Sequence, residues 1–222
     1  RNIACTLDRR EGDTEAAWKE CDAVVERTYR TNRRYHVQLE TKSVLVQPDI
    51  DGGISVWSTT QSIHNTRLLL HEIFGLSMGK IRIYKVPLGG SFGSSIQVNT
   101  IVPIAVAMAL KTRRPVKLTM TREEDIRDHV SYNMIFKLKL GAKSDGTLVV
   151  GHLDAILDLG SHQIQAYSLL GCMAGWWVSL YRLKAKSYKS VGVYTNKTPS
   201  CAFRGYGNPQ VSWMVETIID EL

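Results

Sequence analysis

The stretch LGGSFGSS, Leu88 to Ser95, separates two segments of different periodicity. Before it, GKIRIYKVP alternates at Ile81 and Ile83, with a further apolar residue at Val86, the pattern of a short strand. After it, NTIVPIAVAMALKT is a mostly apolar helix with Pro103 in its first turn, where the missing N–H costs little. Glycine tolerates positive φ and leaves room for a ligand at the backbone, and N–H groups at a helix start favour anionic oxygens. The spacing is not GxGxxG followed by an acidic residue for a ribose, and no Gly-Lys-Ser/Thr makes it a P-loop. Phe92, flanked by Gly90 and Gly93, is awkward in a plain turn and suits a pocket wall over a floor of backbone.

A second loop stands in the same context. AFRGYG, Ala202 to Gly207, follows the strand KAKSYKSVGVYTN and precedes NPQVSWMVETIIDEL, where Val211, Met214, Val215, Ile218 and Ile219 recur at helical spacing. It again sets an aromatic beside glycine and adds Arg204, a residue suited to a planar, bidentate grip on an anion. Tyr206 offers a flat face to an aromatic ligand. On the residues alone, each loop is either an anion-facing site or a tight strand–helix connection.

The remaining segments alternate in type. Asp13 to Arg27 carries Ala17, Cys21, Val24 and Val25 on one stripe and is expected to be an amphipathic helix. VERTYRTN, TKSVLVQPD and GGISVWSTT read as strands, the last two as a hairpin opened by Asp51-Gly52. SIHNTRLLLHEIFG reads as a helix with Ser62 as N-cap and Gly75 as its stop. RPVKLTM is a strand, and TREED offers Thr121 and Glu124 as a capping box. MIFKLKLGAKSDGTLVVGHLDAILDLG reads as two strands joined at Ser144-Asp145-Gly146, and Ser161 to Trp177 as a helix. The expected architecture is α+β, with mixed sheets, packed helices and two related halves that form one lobe.

Composition narrows the function classes. Apolar residues are 44% and charged residues 22% of 222, an ordinary globular balance, and no apolar run approaches the ~18 residues of a membrane span. A formal charge of +7 suits an anionic partner: nucleic acid, a phosphorylated cofactor or an acidic subunit. No RNP aromatic pair, GXXG clamp or recognition helix supports nucleic acid. The four cysteines, Cys5, Cys21, Cys172 and Cys201, form no CxxC pair, which argues against zinc or thiol redox chemistry and for free buried thiols in the cytoplasm. His64, His71, His129, His152 and His162 have no ligand spacing. Both ends are abrupt, so the chain is expected to be a piece of a longer subunit, residues 1–222 forming its N-terminal lobe, or one half of a subunit split between two chains.

Four stretches in order carry a resemblance. HVQLET (His36 to Thr41), STTQSIHNTR, PLGGSFGSS and AFRGYGNPQ, with RPVKLTMTREED between the last two, resemble the molybdopterin-binding subunit of the xanthine dehydrogenase/aldehyde oxidase family of molybdenum hydroxylases. The resemblance covers essentially the whole chain. It implies a molybdenum–molybdopterin cofactor, free or as the cytosine dinucleotide, with 2Fe-2S clusters and FAD on partner domains or subunits. The implied reaction is oxidative hydroxylation of an N-heteroaromatic or aldehyde with oxygen derived from water. In residue terms it implies that Gln61 approaches a metal oxo group through its amide, and that Gly90, Ser91, Phe92 and Gly93 lie against the cofactor. Arg204, with Ala202 and Phe203, would contact the cofactor from the other side, and Tyr206 would stack on the substrate.

The chain departs from the pattern in three respects. The family's general-base glutamate belongs to a downstream part of the subunit, so this chain should hold no catalytic residue and be inactive alone. The purine-gripping glutamate and arginine of xanthine oxidases fall, counted without gaps, on Ile96 and Cys172, neither of which can make those contacts. A different heteroaromatic or an aldehyde is therefore the expected substrate. Ser94-Ser95 stands where Gly-Lys or Asn-Lys is common. Two other readings are a cofactor-free paralogue and a basic module that binds anions or nucleic acid.

Overall fold

The computed structural model describes residues 2–222, and the chain divides into two compact units that interleave along the sequence. One comprises Arg1–Arg34 and Ser131–Leu222; the other is the continuous stretch Tyr35–Val130. The architecture is mixed α/β, with two sheets and six α-helices among the described residues.

The continuous unit begins with the hairpin β3 (Ser43–Pro48) and β4 (Ile54–Ser58), where Val44 and Val46 alternate inward and Leu45 outward. Helix α2 (Ile63–Phe74) crosses to β5 (Ile81–Lys85), which pairs parallel to β4. Gly75 ends α2 in the left-handed conformation, φ 66°, donating its N–H to the His71 carbonyl. Ser62 makes no capping bond; its N–H is taken by Thr60 Oγ1. The glycine loop follows, then α3 (Ile101–Thr112), and β6 (Val116–Thr119) returns antiparallel to β3. Thr121 and Glu124 form the expected capping box of α4 (Arg122–Asp128). Val44, Val46, Ile54, Val56 and Ile81 bury one sheet face against Leu70 of α2 and Val102, Ala105, Val106 and Ala109 of α3. Each full burial of such an aliphatic side chain is worth about 1.5–3 kcal/mol.

The interrupted unit has β1 (Ile3–Glu11), α1 (Thr14–Trp18) and β2 (Ala23–Arg30) before the break. After it come β7 (Asn133–Ala142), β8 (Leu148–Gly160), α5 (Ala166–Leu180), β9 (Ala185–Tyr194) and α6 (Asn208–Glu221). The sheet order is β1-β9-β8-β7-β2, parallel only between β8 and β9. Helices α5 and α6 bring Leu169, Leu170, Met173, Trp177, Val211, Met214, Val215 and Ile218 onto Phe136, Leu138, Leu140, Leu153 and Tyr188.

The two units share one order of elements. Each runs hairpin, crossover helix, parallel strand, glycine loop, helix: β3-β4-α2-β5-loop-α3 in one, β7-β8-α5-β9-loop-α6 in the other. In each, a fourth strand (β6 or β2) lies antiparallel on the first strand of the hairpin. The expected related halves are therefore present as topology, although one is threaded into the other.

Two expected elements are corrected. The helix expected over Asp13 to Arg27 ends at Trp18: Asp13 caps it through Ala16 N–H, and from Asp22 onward the chain pairs with β7. Val24 and Val25 thus lie in β2, where β-branched residues fit a pleated surface and the ladder overrides a helical stripe. The helix expected over Ser161 to Trp177 starts later and runs to Leu180, because Ser161 N–H is held by the Lys197 carbonyl beside the left-handed Gly160. No helix among the described residues is long and apolar enough to cross a membrane.

Candidate functional site

The continuous unit carries the first loop between β5 and α3. Gly90 (φ 98°), Phe92 (54°) and Gly93 (108°) all take positive φ, and for Phe92 that conformation is strained. The strain is held by a compact set of bonds. Ser91 Oγ accepts from Ser95 N–H at 3.0 Å and donates to Gln61 Oε1 at 2.6 Å, while Gln61 N–H donates to the Ser95 carbonyl at 2.9 Å. Ser94 N–H and Ile96 N–H close turns onto the Ser91 and Gly93 carbonyls. Ser94 and Ser95 are buried, so the loop packs on small hydroxyl side chains.

Two consequences follow for the face of this loop. With its oxygen engaged by Ser91, the exposed Gln61 amide presents Nε2, a donor. The backbone N–H groups of Gly90, Ser91, Phe92 and Gly93 find no partner among the described residues. Successive unpaired N–H groups make a concavity for anionic oxygens. The Phe92 ring beside them is 46% exposed. Gln61 and Gly90–Gly93, singled out in the sequence, are thus brought together. Ile96 lies half-buried at the end of the turn.

The interrupted unit carries the second loop, between β9 and α6. Gly205 (φ 90°), Tyr206 (49°) and Gly207 (87°) repeat the pattern of an aromatic in the left-handed region ahead of a left-handed glycine. Tyr206 donates its hydroxyl to the Gln165 carbonyl at 3.0 Å, and its ring packs half-buried on the core. Burial pushes its hydroxyl pKa up, against a hydrogen bond with Ser168. Ala202 is buried, Phe203 half-buried with the Arg34 guanidinium 5.9 Å from its ring centroid, and Arg204 exposed. Arg204 makes no ion pair among the described residues. Cys172 lies exposed on α5. Cys5, Cys21 and Cys172 are free thiols, and against the expected burial only Cys201 is buried, because the other three lie on partly or fully exposed positions of β1, the turn after α1, and α5. Among the described residues no group of three or more His, Cys, Asp or Glu side chains could hold a metal ion.

Residue reasoning missed what supports the first loop. Gln38 and Glu40 lie against Gly90 and Gly89, and a buried Lys42–Asp125–Asp128 cluster stands behind them. The signals were the HVQLET stretch, noted for its resemblance, and the TREED stretch, noted for that and for its capping box. Asp128 shows the electrostatics: burial pushes its carboxyl up, yet the His129 imidazole, the Thr100 hydroxyl and the Lys42 charge hold it at about 2.

With this geometry established, relatives give the class. The model of the molybdopterin cofactor-binding domain family matches residues 1–222, and the chain belongs to that family. It is similar to a probable xanthine dehydrogenase subunit of Bacillus subtilis (strain 168), 33% identical over 212 residues, 95% of this chain and 28% of that protein. It is also similar to the nicotinate dehydrogenase large molybdopterin subunit of Eubacterium barkeri, 32% identical over 207 residues, 90% of this chain and 47% of that protein. The fold matches that of the aldehyde oxidoreductase from Desulfovibrio gigas with a TM-score of 0.93, over 99% of this chain and 25% of that one, at 22% identity. The chain therefore spans between about a quarter and a half of the length of these relatives.

Proposed function

We propose that the chain is the cofactor-binding lobe of a molybdenum hydroxylase. The observation that carries this reading is the set of donors gathered at the first loop: the Gln61 amide, tied by its oxygen to Ser91, and the unpartnered N–H groups of Gly90–Gly93. A metal bound through the sulfurs of its own pterin asks the protein for hydrogen-bond donors rather than for ligands, and donors to oxo and phosphate oxygens are what this loop offers. When bound, the cofactor supplies hydroxylation of an electron-poor carbon with oxygen from water. The chain's residues hold and orient it. Gln61 donates from Nε2, its amide fixed by Ser91, and the glycine loop donates from its backbone. Phe92 walls the pocket, Arg204 supplies a fixed positive charge beside Ala202 and Phe203, and Tyr206 meets the substrate.

The substrate class is an N-heteroaromatic or an aldehyde. Ile96 and Cys172 leave the purine-gripping positions without charge, which favours a substrate other than xanthine. The general base belongs to a part of the subunit outside residues 1–222, and 2Fe-2S and FAD partners carry the electrons away. The names of the Bacillus and Eubacterium relatives, each a subunit, favour a multi-subunit complex, and the free thiols of Cys5, Cys21 and Cys172 suit the cytoplasm. The test is elemental analysis of the full-length protein, purified with its partners from a host that makes the cofactor. About one molybdenum per subunit is expected, as a bound cofactor requires, with a marked loss in Arg204→Ala. A well-folded complex without molybdenum would instead make it a cofactor-free paralogue. Binding to nucleic acid that falls steeply with salt would favour the basic-module reading.

A further inference from the structure

The first loop rests on a second segment, Gln38-Leu39-Glu40. Glu40 meets the loop at two points: its N–H donates to the Gly89 carbonyl at 3.1 Å, and its carboxylate Oε2 accepts from Gly89 N–H at 2.7 Å. No cation pairs with Glu40 among the described residues, and this N–H is the one partner of its side chain there. The approach is as close as backbone allows. A Cβ on Gly89 would lie 2.6 Å from Glu40 Cβ, and one on Gly90 3.2 Å from Gln38 Cβ.

The segment is itself clamped. Buried Gln38 donates Nε2 to both oxygens of Asp125, at 2.9 and 2.8 Å. Arg122 donates to the Leu39 carbonyl at 2.6 Å and reaches Asp125 at 3.2 Å. Lys42 lies 3.1 Å from Asp125 and 3.2 Å from Asp128. Just upstream Val37, a β-branched residue, takes φ 46°, a conformation that persists only where its surroundings impose it. Strain and clamp together point to a segment whose position matters.

We infer that Glu40 is a positioning residue for the cofactor loop. Its carboxylate fixes the first peptide of the loop, next to the unpartnered N–H groups of Gly90–Gly93, and the capped helix α4 anchors it through Asp125 and Arg122. What matters is an acceptor oxygen at this reach. The link to the loop stands on geometry alone; the link to the cofactor rests on the function proposed above.

Three variants of the full-length protein separate these points, read by amide hydrogen exchange and by molybdenum content. In Glu40→Ala the acceptor is gone, and in Glu40→Asp the charge remains but one methylene of reach is lost. Both should speed exchange of the hydrogen-bonded amides of Gly89, Ser94, Ser95 and Ile96 by about tenfold or more, since a hydrogen bond to a charged group is lost. Peptides from α2 and α3 should exchange as in the parent and report that the unit is folded. Glu40→Gln keeps an acceptor oxygen at full reach and should stay within a few-fold of the parent. Unchanged exchange in Glu40→Ala, or exchange in Glu40→Gln as fast as in Glu40→Ala, would overturn the assignment. If Glu40→Ala fails to fold, Glu40→Asp against Glu40→Gln decides the same question. Molybdenum content should fall several-fold in Glu40→Ala and Glu40→Asp. A loosened loop with full molybdenum would overturn the link to the cofactor. A parent protein that holds no molybdenum would sink the function proposed above and leave the exchange result to judge Glu40.

Discussion

Replacing Lys42 by methionine would remove a cation that is only 2% exposed and leave its two carboxylate partners behind. The ammonium lies 3.1 Å from Asp125 and 3.2 Å from Asp128, whose side chains are 2% and 8% exposed. Breaking a buried ion pair from one side costs about 3–5 kcal/mol, because a charge is stranded without its partner. Here Asp125 keeps Gln38 and Arg122, and Asp128 keeps Thr100 and His129, so the expected loss lies at the lower end, about 3 kcal/mol at pH 7. The cost should also depend on pH. Asp128 sits at about 2, below its ordinary 3.8, so its contribution to stability is complete above the ordinary value and is lost as pH falls toward 2. Without Lys42 the carboxyl is held down less, and protonating it relieves the variant. The gap between parent and Lys42→Met should therefore be widest near neutrality and narrow steadily below about pH 4. Urea unfolding of the full-length protein, read by amide exchange in β3 and α4, measures that gap. A difference under about 1 kcal/mol at pH 7, or one unchanged between pH 7 and pH 3, would refute the reasoning.

Three further substitutions test other parts of the structure. Gly160→Ala forces a side chain into φ 75° and drives its Cβ onto the Thr198 carbonyl, where no flexible atom can yield; thermal unfolding should show a loss of about 3 kcal/mol or more. Phe92→Gly relieves a left-handed non-glycine residue and gives up a ring that is 46% exposed, so stability should hold within about 1 kcal/mol while molybdenum content falls; a clear loss of stability would show the ring to be structural. Asp158 accepts from Thr195 and pairs with Arg33 and Lys197; burial pushes its carboxyl up, but these partners and Gly160 N–H hold it below its ordinary value. Its contribution is present above that ordinary value and fades as pH falls, so Asp158→Asn should cost about 1–3 kcal/mol at pH 7 and less in acid, read by melts across pH.

The features legible in the sequence were those with a local cause. Gly75 stops a helix, Thr121 and Glu124 cap one, and Val44 and Val46 alternate on a strand, each through neighbours a few positions away. Both glycine loops could be singled out because glycine and aromatic stand together in each, with an arginine in the second, whereas Gln61 drew notice only through the family resemblance of its stretch. What escaped was set by distant partners. Val24 and Val25 obey a helical stripe yet pair with β7, and the long reach of that pairing leaves no mark in a local window. The burial of Lys42 escaped because an ammonium is seldom buried, and only α4, brought beside it by the fold, makes it sustainable. Val37 gives no hint of its positive φ, since the clamp imposing it comes from Asp125 and Arg122, more than 80 positions away.

The threading of one unit into the other has a consequence during synthesis. Residues 35–130 leave the ribosome as one continuous stretch with all four strands of their sheet, whereas β1 must wait for β9. Asn2 and Tyr194, which bond beside that pair, lie 192 positions apart. At translation rates of about 5–20 residues per second, β1 stays unpaired for roughly 10 to 40 seconds. An unpaired strand invites the wrong neighbour. The second half of β1, Asp8-Arg9-Arg10-Glu11, is charged at every position, and charge along a strand edge is what discourages pairing with a wrong neighbour.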